Sequence, residues 1–128
     1  MSGELVVLGG QQFRPNIHIE AMVAVYLVLI NKPDLTGIFN AVFENLTVLQ
    51  IAELISEKTG ARINIEKLND PRSYNLDSSK LLSAGFKPLK SVRHAVDEVT
   101  KKVSSADFEV TARNYNIRTM TEILGIGA

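Results

Sequence analysis

Between Ile19 and Ile30 the chain carries a single charge, Glu20. The run Ile19-Glu20-Ala21-Met22-Val23-Ala24-Val25-Tyr26-Leu27-Val28-Leu29-Ile30 has the length of a helix and stops near Asn31 and Pro33. A surface helix shows an apolar stripe against a polar back. This one is apolar nearly all round, so it needs cover on two sides. Two arrangements provide it: a central place in the chain's own core, or one face set against a second copy or another domain.

The remainder is organised around short strands and amphipathic helices. Leu5-Val6-Val7-Leu8 reads as a buried strand that leaves through Gly9-Gly10. Phe13 to Ile17 is a second extended piece, since Arg14 precedes a proline. Gly37 to Val42 reads as a strand. Thr47 with Gln50 three residues on forms a capping box, and Leu46 with Ile51 is placed for a hydrophobic staple. Ile51, Leu54 and Ile55 give the helical stripe that Gly60 closes. Arg62 to Leu68 alternates polar and apolar, as a half-buried strand does. Asp77 is a fitting N-cap for a short helix, Ser78 to Ala84, ended by Gly85. Ser91 caps another over Val92 to about Val103, with Val92, Ala95, Val96 and Val99 as its buried stripe. The expected fold is α/β, a small mixed sheet with about four to five helices. The 128 residues suit one domain, 1–128. Residues 104–128 form a tail that packs on the body or is exchanged with a partner chain, with a short helix around Met120 to Leu124.

The balance of 14 basic against 14 acidic residues argues against nucleic acid as the main partner, which needs a basic surplus. Cysteine is absent, which excludes disulfides, thiolate metal sites and a Cys nucleophile. The start Met1-Ser2-Gly3-Glu4 shows no signal-peptide pattern. No run nears the roughly 18 apolar residues of a membrane span. A soluble cytoplasmic protein is expected.

The stretch Gln11-Gln12-Phe13-Arg14-Pro15-Asn16-Ile17-His18-Ile19 sets a cation, amides and an imidazole among short apolar residues. Such a mixture is costly to order unless something polar is held there. Arg14 and Arg72 each follow a strand-like segment and adjoin a proline. A guanidinium presents a planar fork of donors suited to phosphate oxygens. Two such forks from separate loops form a clamp for a diphosphate, with Gln12 and Asn16 beside it. A surface ion pair is the commoner role for an arbitrary arginine, and the flanking prolines and glycines favour the clamp. His18 has no second ligand to make a metal site and reads as a hydrogen-bonded histidine at a helix start. His94 reads as solvated. Ser78-Ser79-Lys80 suggests a nucleophile with a lysine base, but the Asp77 cap accounts for it more simply. No nucleophile elbow, P-loop or dinucleotide motif is present. No catalytic residue is assigned.

Gly9 to Ile19 resembles the segment that opens the substrate half of extended short-chain dehydrogenases. These are the NAD-dependent nucleotide-sugar epimerases and dehydratases, such as UDP-glucose 4-epimerase. The likeness continues through Gly37-Ile38-Phe39-Asn40, Thr47 to Leu54, Asp70 to Lys80 and Leu82 to Pro88, nearly the whole chain. It implies the C-terminal lobe of such an enzyme without its Rossmann domain, with Arg14 and Arg72 on the diphosphate of a nucleotide sugar. The family's cofactor is NAD, and no cofactor is assigned to this chain. The glycine-rich NAD loop and the Tyr-x-x-x-Lys pair are missing, so activity alone is not expected. Ala21 stands where the family usually has an acidic residue, and Val42 where it usually has glycine. In the family the strand matching Gly37 to Val42 joins the cofactor domain's sheet. A bare edge there invites pairing, so a homodimer or higher oligomer is expected, through this strand, the apolar helix or the tail. The rival reading is a truncated or engineered fragment that folds and self-associates without a ligand.

Overall fold

The computed structural model describes residues 3–68, 70–105, 111, 120, 121 and 123–125. The elements run β1 (Glu4–Leu8), β2 (Phe13–Asn16), α1 (Ile19–Asn31), β3 (Glu44–Thr47), α2 (Val48–Thr59), β4 (Arg62–Glu66), α3 (Ser79–Ser83) and α4 (Val92–Ser104). The class is mixed α/β, with four helices among the described residues. The strands form two pairs: β1 lies parallel to β4 with Val7 opposite Ile65, and β2 lies antiparallel to β3 with Arg14 opposite Leu46. Much of the expected 104–128 tail lies outside the described residues, although Met120, Thr121, Ile123 and Leu124 are helical.

Local chemistry sets the element ends. The Thr47 hydroxyl accepts the Gln50 amide at 3.1 Å and the Gln50 side chain accepts the Thr47 amide at 2.8 Å, so the capping box starts α2. Gly60 ends it at φ 73°, where a Cβ would be strained. Ser91 starts α4, and its box partner is His94, whose Nδ1 accepts the Ser91 amide at 3.2 Å. His94 is therefore part of a cap rather than simply solvated. Asp77 does not cap α3 in the expected way. Its carboxylate accepts the Ser79 amide at 2.9 Å, and Ser78 occupies the cap position.

Gly37 to Val42 is not a strand. Its polar backbone groups meet side chains from the start of α3 instead of a neighbouring ladder. The buried Ser78 hydroxyl accepts the Val42 N–H at 2.8 Å and donates to the Val42 carbonyl at 2.6 Å. Asn40 donates to the Asp77 carbonyl at 3.0 Å and Lys80 to the Ile38 carbonyl at 3.0 Å, with the ammonium 4.1 Å from the Phe39 ring centre. These contacts seat the segment over the main core, where Val25, Leu81 and Phe86 meet Leu29, Phe39 and Phe43. Phe43 and Phe86 stack at 5.2 Å. A second apolar layer, with Val7, Ala52 and Ala61 buried, lies where α2 covers β1 and β4.

Helix α4 is attached differently. It has no buried residue, and Val99 of its expected buried stripe is exposed. Arg93 reaches Glu57 at 3.0 Å and Asp97 reaches Lys58 at 2.7 Å, both across to α2. Glu98 meets His18 at 3.2 Å and Lys90 at 2.5 Å. His18 Nδ1 accepts the Glu20 amide at 3.2 Å, capping α1, which puts the ring hydrogen on Nε2 facing Glu98. The structural role expected of His18 holds.

Candidate functional site: two arginines on one carboxylate

The site begins where β1 ends. Gly9 and Gly10 adopt φ 77° and 96°, and a Cβ on Gly9 would stand 3.0 Å from Gln12 Oε1 and 3.1 Å from the Leu68 carbonyl. Glycine thus lets the turn close and lets Gln12 fold back, donating to the Leu8 carbonyl at 2.8 Å. The chain then enters β2, where the Phe13 amide donates to Ser73 Oγ at 3.0 Å. That bond ties β2 to the loop carrying Asp70 and Arg72.

Arg14 and Arg72 meet at Asp70. Arg72 grips this carboxylate with Nε at 2.8 Å and Nη2 at 3.0 Å, a bidentate fork. The Arg72 amide adds a third bond to Asp70 Oδ1 at 3.0 Å, closing a turn of the Asx type. Arg14 Nη2 reaches the same carboxylate at 2.9 Å, while its Nη1 donates to the Phe13 carbonyl at 2.9 Å and to the Arg72 carbonyl. The side chain of Asp70 is 7% exposed, that of Arg14 28% and that of Arg72 78%. Arg14 therefore shapes the loop from within, and Arg72 faces solvent. Hydrogen bonds from the Arg72 side chain and amide, aided by the Arg14 charge, push the Asp70 carboxyl from 3.8 down to about 2. The same partnership raises Arg72.

Sequence reading named both arginines and missed the group between them. Asp70 was legible only as part of a strand-breaking Asn-Asp-Pro turn. The usable signal was its spacing, two residues before an arginine, where an Asx turn can form. Ser73 was likewise unassigned. A groove of about 330 Å³ adjoins the cluster, lined by Gly9, Gln11, Gln12, Leu68, Asp70 and Ser73. Gln12 lines it. Neither guanidinium lines it, and Asp70 is the link. Asn16 does not line the groove; it closes β2 two residues beyond Arg14 and donates to the Arg14 carbonyl at 2.5 Å. Ala21 is fully buried, so an acidic side chain there would face the interior.

The cluster has donors to offer. A guanidinium carries five N–H groups. Arg72 gives two to Asp70 and keeps three, while Arg14 gives two to the loop and one to the Phe13 carbonyl and keeps two, among the described residues. Two cations on one anion leave a net positive charge. Among the described residues no group of three His, Asp or Glu side chains could hold a metal ion.

No family model and no curated protein sequence matches the chain. A solved structure does: RMD from Pseudomonas aeruginosa complexed with NADPH. The match has TM-score 0.62 at 15% identity, covering 73% of this chain and 33% of that one. The fold over the matched part of this chain is thus similar to part of RMD, and the match spans about a third of that structure's length. No helix among the described residues is long and apolar enough to cross a membrane.

Proposed function

We propose that the chain is the nucleotide-sugar-binding lobe of an enzyme of the NAD-dependent epimerase and dehydratase type, holding the diphosphate and performing no redox step itself. The observation that carries this reading is the meeting of Arg14 and Arg72 on Asp70. Asp70 holds the Arg72 fork in one orientation, and Arg14 holds the loop beneath it. The three Arg72 donors that bond no described residue and the net positive charge suit a phosphate oxygen on its solvent side. Asp70 lines the groove and repels an anion there, so the groove suits the neutral sugar or base beside the phosphates. The RMD-like fold supports the class of enzyme, since that protein is complexed with NADPH. The sequence has no Tyr followed four residues on by Lys and no glycine-rich dinucleotide loop. In this reading the pyridine nucleotide is held by residues other than these 128.

The test is calorimetric titration with UDP, GDP and a UDP-sugar. Weak saturable binding is expected, with Arg72→Ala weakening it by about tenfold or more. Arg72→Lys should also weaken it, because an ammonium cannot replace the fork. No heat with any nucleoside diphosphate, or affinity indifferent to Arg72→Ala, rejects the proposal. The rival, a fragment that folds and self-associates without a ligand, is favoured by the exposed apolar face of α1, and the same titration separates the two.

A further inference from the structure

Helix α1 has two apolar faces. Ala21 and Val25 are buried, with Met22, Ala24, Val28 and Leu29 half-buried beside them, and this side meets the core. On the other side Ile19, Val23, Tyr26, Leu27 and Ile30 are each between 51% and 73% exposed. Among the described residues nothing covers them. We propose that this face is the contact between two copies of the chain, with the α1 helices packed antiparallel about a two-fold axis.

Three features select a second copy. Residues 19, 23, 26 and 30 are spaced by four, three and four, the seam of paired helices. The spacing also reads the same in both directions. Reversal about the midpoint between Ala24 and Val25 sets Ile19 of one protomer against Ile30 of its partner, and Val23 against Tyr26. An isologous contact requires such self-complementarity, and a contact with a different chain does not. The area fits as well: the five side chains expose on the order of 600 Å² per protomer, about 1,200 Å² for the pair, the lower end for a specific interface. Finally, the face is uncharged: Glu20, near one end of the helix, is paired with Lys90 at 2.7 Å, and Lys32 lies just beyond the other end. The Gly37 to Val42 route to self-association loses its basis, because that segment is no strand. The contact does not involve Arg14, Asp70 or Arg72, so its test and the nucleotide titration fail separately.

Sedimentation of the full chain from low to several hundred micromolar tests it. A monomer–dimer equilibrium is expected. Val23→Glu should raise the dimer dissociation constant by roughly 100-fold or more, because a charge would be buried in the seam. Circular dichroism should stay unchanged, since residue 23 faces away from the core. Ile30→Lys, at the end of the seam, should act in the same direction and decides the matter if Val23→Glu fails to fold. The chain lacks cysteine, so Val23→Cys combined with Tyr26→Cys should yield a disulfide-linked dimer on oxidation. A monomer throughout overturns the proposal. So does a dimer indifferent to both charge variants, which would place the contact on the tail or on a strand edge. Efficient linking by Val23→Cys alone would point to parallel helices and overturn the two-fold antiparallel arrangement.

Discussion

Replacing Ser78 by alanine removes one oxygen and strands two backbone groups. The hydroxyl accepts the Val42 N–H at 2.8 Å and donates to the Val42 carbonyl at 2.6 Å, and Ser78 is 5% exposed. Each net hydrogen bond is worth about 1 kcal/mol, and a buried group left unpaired costs about 1–3 kcal/mol. Val42 is half-buried, so water can reach part of the vacated space, which favours the lower figures. The expected loss is about 2–3 kcal/mol. For a domain of this size that lowers Tm by roughly 6–12 °C. Urea unfolding followed by circular dichroism measures it, with an unchanged m-value showing that the transition is the same one. Ser79→Ala is the control: its hydroxyl is exposed and bonds Asp77 at 2.5 Å, so about 0.5 kcal/mol or less is expected. If Ser78→Ala costs no more than Ser79→Ala, Ser78 does not anchor the 37–43 segment.

Leu81 is fully buried at the centre of the core, and Leu81→Ala should cost about 2–5 kcal/mol by urea titration. A loss under 1 kcal/mol would show that the surrounding shell collapses onto the space. Thr47→Ala breaks half of the capping box and should cost about 1 kcal/mol, while Thr47→Ser should recover most of it. Asp70 titrates at about 2 instead of 3.8, so on acidification the unfolded chain takes up its proton first. The stability it confers is whole above about pH 4 and fades between pH 4 and 2. Glu57, Asp97 and Glu98 are also lowered and fade on acidification too, so the test is a difference: Asp70→Asn should flatten the acid limb relative to the parent. Identical limbs would refute the assignment.

What the sequence made legible was what is decided within one turn of chain. Thr47 with Gln50, Gly60, and Ser91 before an amphipathic run all declare a helix end through contacts a few residues away. β1 and β4 were recognisable because apolar runs and alternation are local patterns, and β2 because Arg14 precedes a proline. The Gly37 to Val42 reading failed because its outcome depends on Ser78, 36 residues later, whose hydroxyl stands in for a neighbouring strand. The site divided the same way. The arginine forks were visible as residue types, but their common partner Asp70 lies 56 residues from Arg14 and was hidden in a turn. Asn16 was named for its neighbourhood in sequence, and its amide is taken up by the Arg14 carbonyl two residues back along β2. The all-apolar α1 pattern calls for two covers and cannot say which face the chain itself supplies; among the described residues that is the side of Ala21 and Val25.

Helix α4 is held to the body by half-buried Val92, Ala95 and Val96 and by exposed ion pairs to α2 and His18. Coulomb attraction between exposed groups weakens as mobile ions crowd in, while apolar burial does not. Added salt should therefore speed amide exchange along α4 well before it touches α2 or the centre around Leu81. Because no α4 residue bonds Arg14, Asp70 or Arg72 among the described contacts, this undocking would leave the arginine cluster assembled. Salt would then loosen the outer helix while the Asp70–Arg72 loop stays in place.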